Sequence, residues 1–289
     1  MKKINRRNFL VQTSLTTAGI LAFAQLPKQL LAGANAAGMP LGFQSWVVRD
    51  MLAKDFAGTM KMVAGQGYQL IEMCSPKGYK DAGFGSLVDM KPAEMRGIIQ
   101  DAGLSCPSCH FGMAELTSDQ LEDRIGFAKG LGMTQMICSS FGLPKTATLD
   151  DYLTAADKLN AAGEKIKKNG MQAGFHNHET EFAILDGQLI YDAIMERFDP
   201  DLVKMQFQTQ VITVGIKASD YFKKYPGRFI SAHLSDWTAD KKEVPIGQGI
   251  IDWKTFFETA KVGGVKHYFV EMKPETFEES AEYIKSLQM

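Results

Sequence analysis

Four of the five histidines stand at the ends of short apolar runs. His110 closes Ser105-Cys-Pro-Ser-Cys-His110, His176 and His178 fall in Ala173-Gly-Phe-His-Asn-His178, and His233 closes Phe229-Ile-Ser-Ala-His233. A further run, Tyr268-Phe-Val-Glu271, ends on a carboxylate. Neutral imidazole and carboxylate are divalent-metal ligands, and both are groups that take and return protons in catalysis. If the runs are parallel strands, all of these side chains emerge at one end of the sheet, where α/β enzymes keep their chemistry.

The elements that would position them repeat one unit: an amphipathic stretch, a glycine, then a short apolar run. Phe56 to Gly65 leads to Tyr68-Gln-Leu-Ile-Glu72, and Pro92 to Gly103 leads to the His110 run. Leu121 to Gly132 leads to Gln135-Met-Ile-Cys138, and Leu149 to Gly170 leads to the His176 run. Leu189 to Arg197 leads to Leu202-Val-Lys-Met-Gln-Phe207, Ala218 to Tyr225 to the His233 run, and Trp253 to Gly264 to the Glu271 run. Glycine just past a helix tolerates the left-handed turn that ends it, and alternating helical and strand periods signal parallel βαβ units. With Leu41-Gly-Phe-Gln44 as the first strand and Phe277 to Leu287 as a closing helix, the pattern predicts a (β/α)8 TIM barrel. No Gly-x-Gly-x-x-Gly follows an early strand, which argues against an open nucleotide-binding sheet.

Residues 1–36 read as a signal peptide preceding a single barrel domain, 37–289. Lys2, Lys3, Arg6 and Arg7 form a positive start, Val11 to Leu26 a mostly apolar stretch, and Ala34-Asn-Ala36 a small-x-small cleavage site. Asn5-Arg-Arg-Asn-Phe-Leu10 is similar to the twin-arginine signal, so the expected location is periplasmic or otherwise exported. An uncleaved anchor is the rival reading, disfavoured by a stretch short and Thr/Gln-interrupted for a span. With 32 basic and 33 acidic residues, no basic face argues for nucleic acid or for stable membrane association after cleavage. Cys74, Cys106, Cys109 and Cys138 lie in or at the ends of apolar runs, which predicts buried free thiols. Cys106-Pro-Ser-Cys109-His110 also matches the C-x-x-C-H pattern of haem attachment. That reading, like a dithiol redox role, requires breaking the strand the repeat needs there.

Together the motifs resemble the xylose-isomerase-like barrels of the sugar phosphate isomerase/epimerase family. The resemblance rests on Gly174-Phe-His-Asn-His-Glu-Thr-Glu-Phe182, Tyr225-Pro-Gly-Arg-Phe-Ile-Ser-Ala-His-Leu-Ser-Asp236, Pro245-Ile-Gly-Gln-Gly-Ile-Ile-Asp-Trp253 and His267-Tyr-Phe-Val-Glu-Met272, and it covers nearly all of the chain past the signal. It implies one divalent metal held by Glu, Asp, His and Glu at the ends of strands five to eight. Here His233 and Glu271 match, whereas His176 and Gln208 stand at the other two positions. This weaker anionic set favours Mn, Fe, Co, Ni or Zn over Mg. Glu181 could restore a carboxylate if its loop folds back.

The resemblance further implies a small-molecule carbohydrate and proton abstraction next to its carbonyl, with Glu271, His178 and Glu181 as candidate catalytic groups. Glu72, His110, Trp237 and Lys273 are candidate substrate contacts, each with a plainer reading as packing, solvated charge or structural hydrogen bonding. No cluster of basic residues suits a phosphate dianion, so a keto-sugar or keto-glycoside is the expected substrate. The same first step serves an isomerase/epimerase or a lyase/hydratase on a 3-keto-glycoside, and loss of turnover would leave a sugar-binding barrel. The export reading predicts that changing both Arg6 and Arg7 to Lys retains the precursor in the cytoplasm, because the receptor reads the guanidinium pair. Fractionation showing normal export of that variant would refute it.

Overall fold

The computed structural model describes residues 40–287. The expected signal, residues 1–36, lies outside these. Eight strands run β1 (Leu41–Gln44), β2 (Leu70–Cys74), β3 (Ser105–Phe111), β4 (Gln135–Cys138), β5 (Gln172–His176), β6 (Val203–Gln208), β7 (Phe229–Leu234) and β8 (His267–Val270). They pair in parallel around a closed ring, β1 joining both β2 and β8. Helices α1 (Phe56–Gly65), α2 (Pro92–Asp101), α3 (Leu121–Leu131), α4 (Leu149–Lys168), α5 (Ile190–Arg197), α6 (Ala218–Lys224), α7 (Trp253–Gly263) and α8 (Phe277–Ser286) alternate with them. This is the (β/α)8 architecture the repeat predicts. No helix among the described residues is long and apolar enough to cross a membrane.

Local chemistry sets the helix ends. Asp55 accepts from the Gly58 amide to start α1, and Thr148 and Asp151 form a reciprocal capping box at α4. Gly132 and Gly264, at φ 79° and 87°, take the left-handed turn after α3 and α7 that a side chain would resist.

Alternation along each strand divides the interior into two unlike layers. Phe43, Ile71, Met73, Phe111, Met136, Phe175, Phe207 and Tyr268 are buried and belong to the apolar core beneath the helices. The positions between them, which meet inside the ring, are largely polar: Gln44, Glu72, Ser108, Gln206, Ser231 and His233 are all fully buried. Towards the other end the interior is closed by apolar contact, Phe269 lying against Gly42.

β2 begins and ends two residues later than the sequence pattern predicts, which sets Glu72 inside the strand instead of at its end. Cys106 and Cys109 are buried within β3, and burial pushes both thiols up, Cys106 to about 12. A strand-bound, protonated pair suits neither haem attachment nor dithiol exchange.

A methyl group at Gly42 would fall 2.4 Å from the Phe269 ring and 3.0 Å from Leu70 Cβ. Gly42→Ala should therefore destabilise the barrel by about 1–3 kcal/mol through overpacking. Urea unfolding reads this, and an unchanged midpoint would show that the ring moves aside freely.

Candidate active site

Glu72 is the hub of the polar interior. Its Oε1 accepts from Ser108 Oγ at 2.5 Å and Gln206 Nε2 at 2.8 Å; its Oε2 accepts from Gln44 Nε2 at 2.7 Å and from His233 Nε2. His110 Nε2 stands 3.3 Å from the same Oε2. The second nitrogen of His233, Nδ1, meets Glu271 Oε2 at 2.9 Å. A neutral imidazole has one N–H, so bonds from both ring nitrogens to carboxylates make His233 an imidazolium between two anions. Burial works against that charge, but Glu271 and Glu72 outweigh it and push the His233 pKa up to about 10. Burial likewise opposes ionisation of Glu72, yet His110 and His233 bring its carboxyl down to about 2.

The other two inner imidazoles are shifted the opposite way. Burial lowers His110, with Glu72 only partly opposing, and lowers His176 well below its ordinary value with help from the neighbouring histidines. His110 Nε2 meets Gln206 Oε1 at 2.6 Å while the same amide donates to Glu72 and Ser231 Oγ. That orientation makes His110 Nε2 the protonated nitrogen and leaves the Nδ1 lone pair available. His176 Nδ1 is buried without a hydrogen-bond partner.

These groups fit a divalent cation. His110, His176 and His233 each offer a nitrogen, all within 4.8 Å of one another. An orphaned buried imidazole nitrogen, neighbouring imidazoles and adjacent carboxylates are the donors such an ion takes. To join, His233 would give up one of its two carboxylate bonds.

The structure thus brings His110 into the cluster, where the sequence alone places it among substrate contacts. It also redistributes other expected roles. Gln208 spends its amide elsewhere: Nε2 donates to Glu271 Oε2 at 2.5 Å and Oε1 accepts from the Gln210 amide at 3.2 Å, so it holds Glu271 in place. Glu72 is fully buried beneath the opening and its oxygens are engaged, which takes it out of reach of a substrate. Glu181 does not fold back to the mouth; its Oε2 accepts from the His178 amide at 2.6 Å, closing the turn after β5.

Above the cluster, a cavity of about 280 Å³ is lined by Trp46, Cys74, Tyr79, His110, Ser139, Ser140, His176, His178 and Glu271. Trp237 and Lys273 are not among its lining residues. Trp237 Nε1 bonds Ser235 Oγ, and the Lys273 amide bonds Glu243. Glu271 keeps 18% side-chain exposure, and both of its hydrogen bonds fall on Oε2, leaving Oε1 as the carboxylate atom free to work. The charge and hydrogen bond of His233 outweigh burial and keep Glu271 below its ordinary pKa.

Sequence reasoning missed Gln44, Ser108, Gln206, Tyr79 and Ser139. A signal existed for Gln206, an amide two residues before Gln208 and so on the same face of an apolar strand. None existed for Tyr79, which reaches the cavity from a loop.

The xylose isomerase-like TIM barrel family matches residues 60–287. The chain belongs to that family. A sugar phosphate isomerase/epimerase from Parabacteroides distasonis ATCC 8503 superposes with TM-score 0.73 at 23% identity, over 86% of this chain and 96% of that one. A second from the same organism gives 0.71 at 24%, over 86% and 99%. A xylose isomerase-like TIM barrel protein from Mycobacterium smegmatis, solved in complex with magnesium, gives 0.64 at 15%, over 86% and 96%. No curated protein matches.

Glu72→Gln should destabilise the protein by about 3–5 kcal/mol, because it takes from the buried His233 charge the more deeply buried of its two carboxylates. A carboxylate lowered to about 2 adds stability above its ordinary 4.5, and an imidazole raised to about 10 adds stability that is complete below 6.5 and lost as pH climbs through 10. Chelator-treated wild type should therefore lose stability between pH 6.5 and 10, and the Glu72→Gln variant should show a flatter profile. Equal slopes in denaturant titrations would contradict the pairing.

Proposed function

We propose that this protein is a divalent-metal-dependent isomerase/epimerase of a keto-sugar or keto-glycoside, working by proton abstraction at the carbon next to the carbonyl. The observation that carries the reading is Glu271. Its Oε1 is uncommitted at the cavity wall, beside a cluster of imidazoles able to hold a cation, while Gln208 and His233 fix its other oxygen. A carboxylate so oriented is a general base with one direction of attack. His178, exposed at the cavity rim, is a second proton carrier.

His110, His176 and His233 would hold the cation. Bound there, it supplies Lewis acidity towards the substrate's carbonyl. An imidazole-rich set favours Mn, Fe, Co, Ni or Zn over Mg. The cavity's volume suits a single sugar ring. Its aromatic and hydroxyl lining, Trp46, Tyr79, Ser139 and Ser140, suits a neutral polyol face better than a phosphate. Export by the twin-arginine route, folded and with metal already bound, is part of this proposal. A lyase on a 3-keto-glycoside shares the first step and would be told apart by an unsaturated product.

Incubation in D₂O with D-fructose, L-ribulose and methyl 3-keto-glucopyranoside tests the reading. Deuterium should enter the carbon next to the carbonyl in a metal-dependent manner. Glu271→Gln should lower that exchange by roughly 100-fold or more, and His176→Ala should lower bound metal with the fold retained. Absence of metal-dependent exchange with every probe would leave a sugar-binding barrel as the better account.

A further inference from the structure

Across the cavity from Glu271 lies a pair of lining hydroxyls to which the proposed function gives no part in proton transfer. Glu271 is the first residue after β8, and Ser139 is the first after β4. In a closed ring of eight these strands are four apart in either direction, so the two residues face each other across the mouth. Tyr79 reaches Ser139 from the loop after β2, its hydroxyl donating to Ser139 Oγ at 2.5 Å, and Ser139 Oγ donates onward to the Phe111 carbonyl at 3.3 Å. Both side chains line the cavity.

The protein holds Tyr79 there by construction. Its ring packs edge-on against Trp46 and Phe84 at 5.9 and 6.2 Å. Its backbone is anchored at Ser75, whose hydroxyl donates to Glu115 Oε1 at 2.7 Å. Glu115 is buried and pairs with buried Arg124 at 2.6 Å. Gly78 lets the loop lie on that carboxylate, since a methyl group there would fall 1.9 Å from Glu115 Oε2. Glu115 thus anchors the loop carrying Tyr79, through the Ser75 hydroxyl and the close approach of Gly78.

We propose that Tyr79 is the proton carrier on the face of the substrate opposite Glu271, and that the reaction is therefore an epimerisation. The inference rests on the function proposed above. To invert a carbon, the proton removed from one face must be replaced from the other, and one carboxylate cannot serve both faces of a held sugar. Glu271 takes the proton, the C–H electron pair moves into the adjacent carbonyl, and the returning pair takes the Tyr79 O–H proton at the same carbon from the other side. This leaves Glu271 protonated and Tyr79 a phenolate, and exchange with solvent through the open mouth resets both. Burial, with the nearby Cys74 thiol adding to it and the Ser139 bond opposing it, raises the Tyr79 pKa, so the phenol holds its proton until the substrate carbon takes it.

Tyr79→Phe keeps the ring and its packing and removes only the proton. With the three probes named above in D₂O, epimer formation by the variant should fall roughly 100-fold or more, far further than its deuterium wash-in falls. Bound metal should not change. Ser139→Ala, which removes the acceptor that orients the hydroxyl, should show a smaller loss of the same kind, and it carries the test if Tyr79→Phe shows no cooperative melt. Wild-type epimer formation in the variants overturns the assignment. So does equal loss of wash-in and epimer, which would make Tyr79 a binding or folding residue, or exchange without epimer in His178→Gln alone, which would move the role to His178. Wild type that exchanges but yields only an aldose isomer refutes epimerisation and leaves the proposed function standing. Wild type that exchanges nothing refutes both.

Discussion

A carboxylate closed off from water inside a barrel must find its whole solvation shell in the protein, and at Glu72 that demand organises the interior. Donors come from β1 as Gln44, β3 as Ser108, β6 as Gln206 and β7 as His233, so one anion ties together strands on several sides of the ring. An unsatisfied buried charge costs several kcal/mol. Each donor is therefore constrained in type and in rotamer, and the side chains above it inherit that order.

The consequence reaches the mouth through His233. Because Glu72 takes one of its nitrogens, the ring is oriented with the other towards Glu271, and the charge it carries keeps Glu271 ionised. Gln206 uses the same logic on the other side: its nitrogen serves Glu72 and its oxygen sets the His110 tautomer. Two outward-facing functions, a free carboxylate oxygen and a set of imidazole lone pairs, thus depend on hydrogen bonds made below them. For Glu271 Oε1 and the unpartnered His176 nitrogen this is preorganisation, since neither needs rearrangement to present itself.

The ligand types that the family resemblance implies, a glutamate and an aspartate on strands five and six, are a histidine and a glutamine here. Losing the anions reduces the charge around a cation, and His110 adds a third imidazole to the cluster. The Gln208 amide, able to donate where a carboxylate cannot, becomes a brace for Glu271. A cation held by these nitrogen donors would be a borderline rather than a hard one.

The repeat of amphipathic stretch, glycine and apolar run determined the barrel by itself, because helix ends and strand periods are local properties of neighbouring residues. It also placed His176, His233 and Glu271 at the same end, since parallel strands share a direction. What it could not determine was depth and partnership. A two-residue difference in where β2 begins separates a surface Glu72 from a buried hub, and boundaries are the least local part of a strand. Whether Gln208 binds a metal or a neighbour, and whether Glu181 turns in or caps a turn, depends on which side chains arrive from other strands. Tyr79 meets Ser139 across 60 positions of sequence. Only ring closure brings such groups together, and closure is a property of the whole chain.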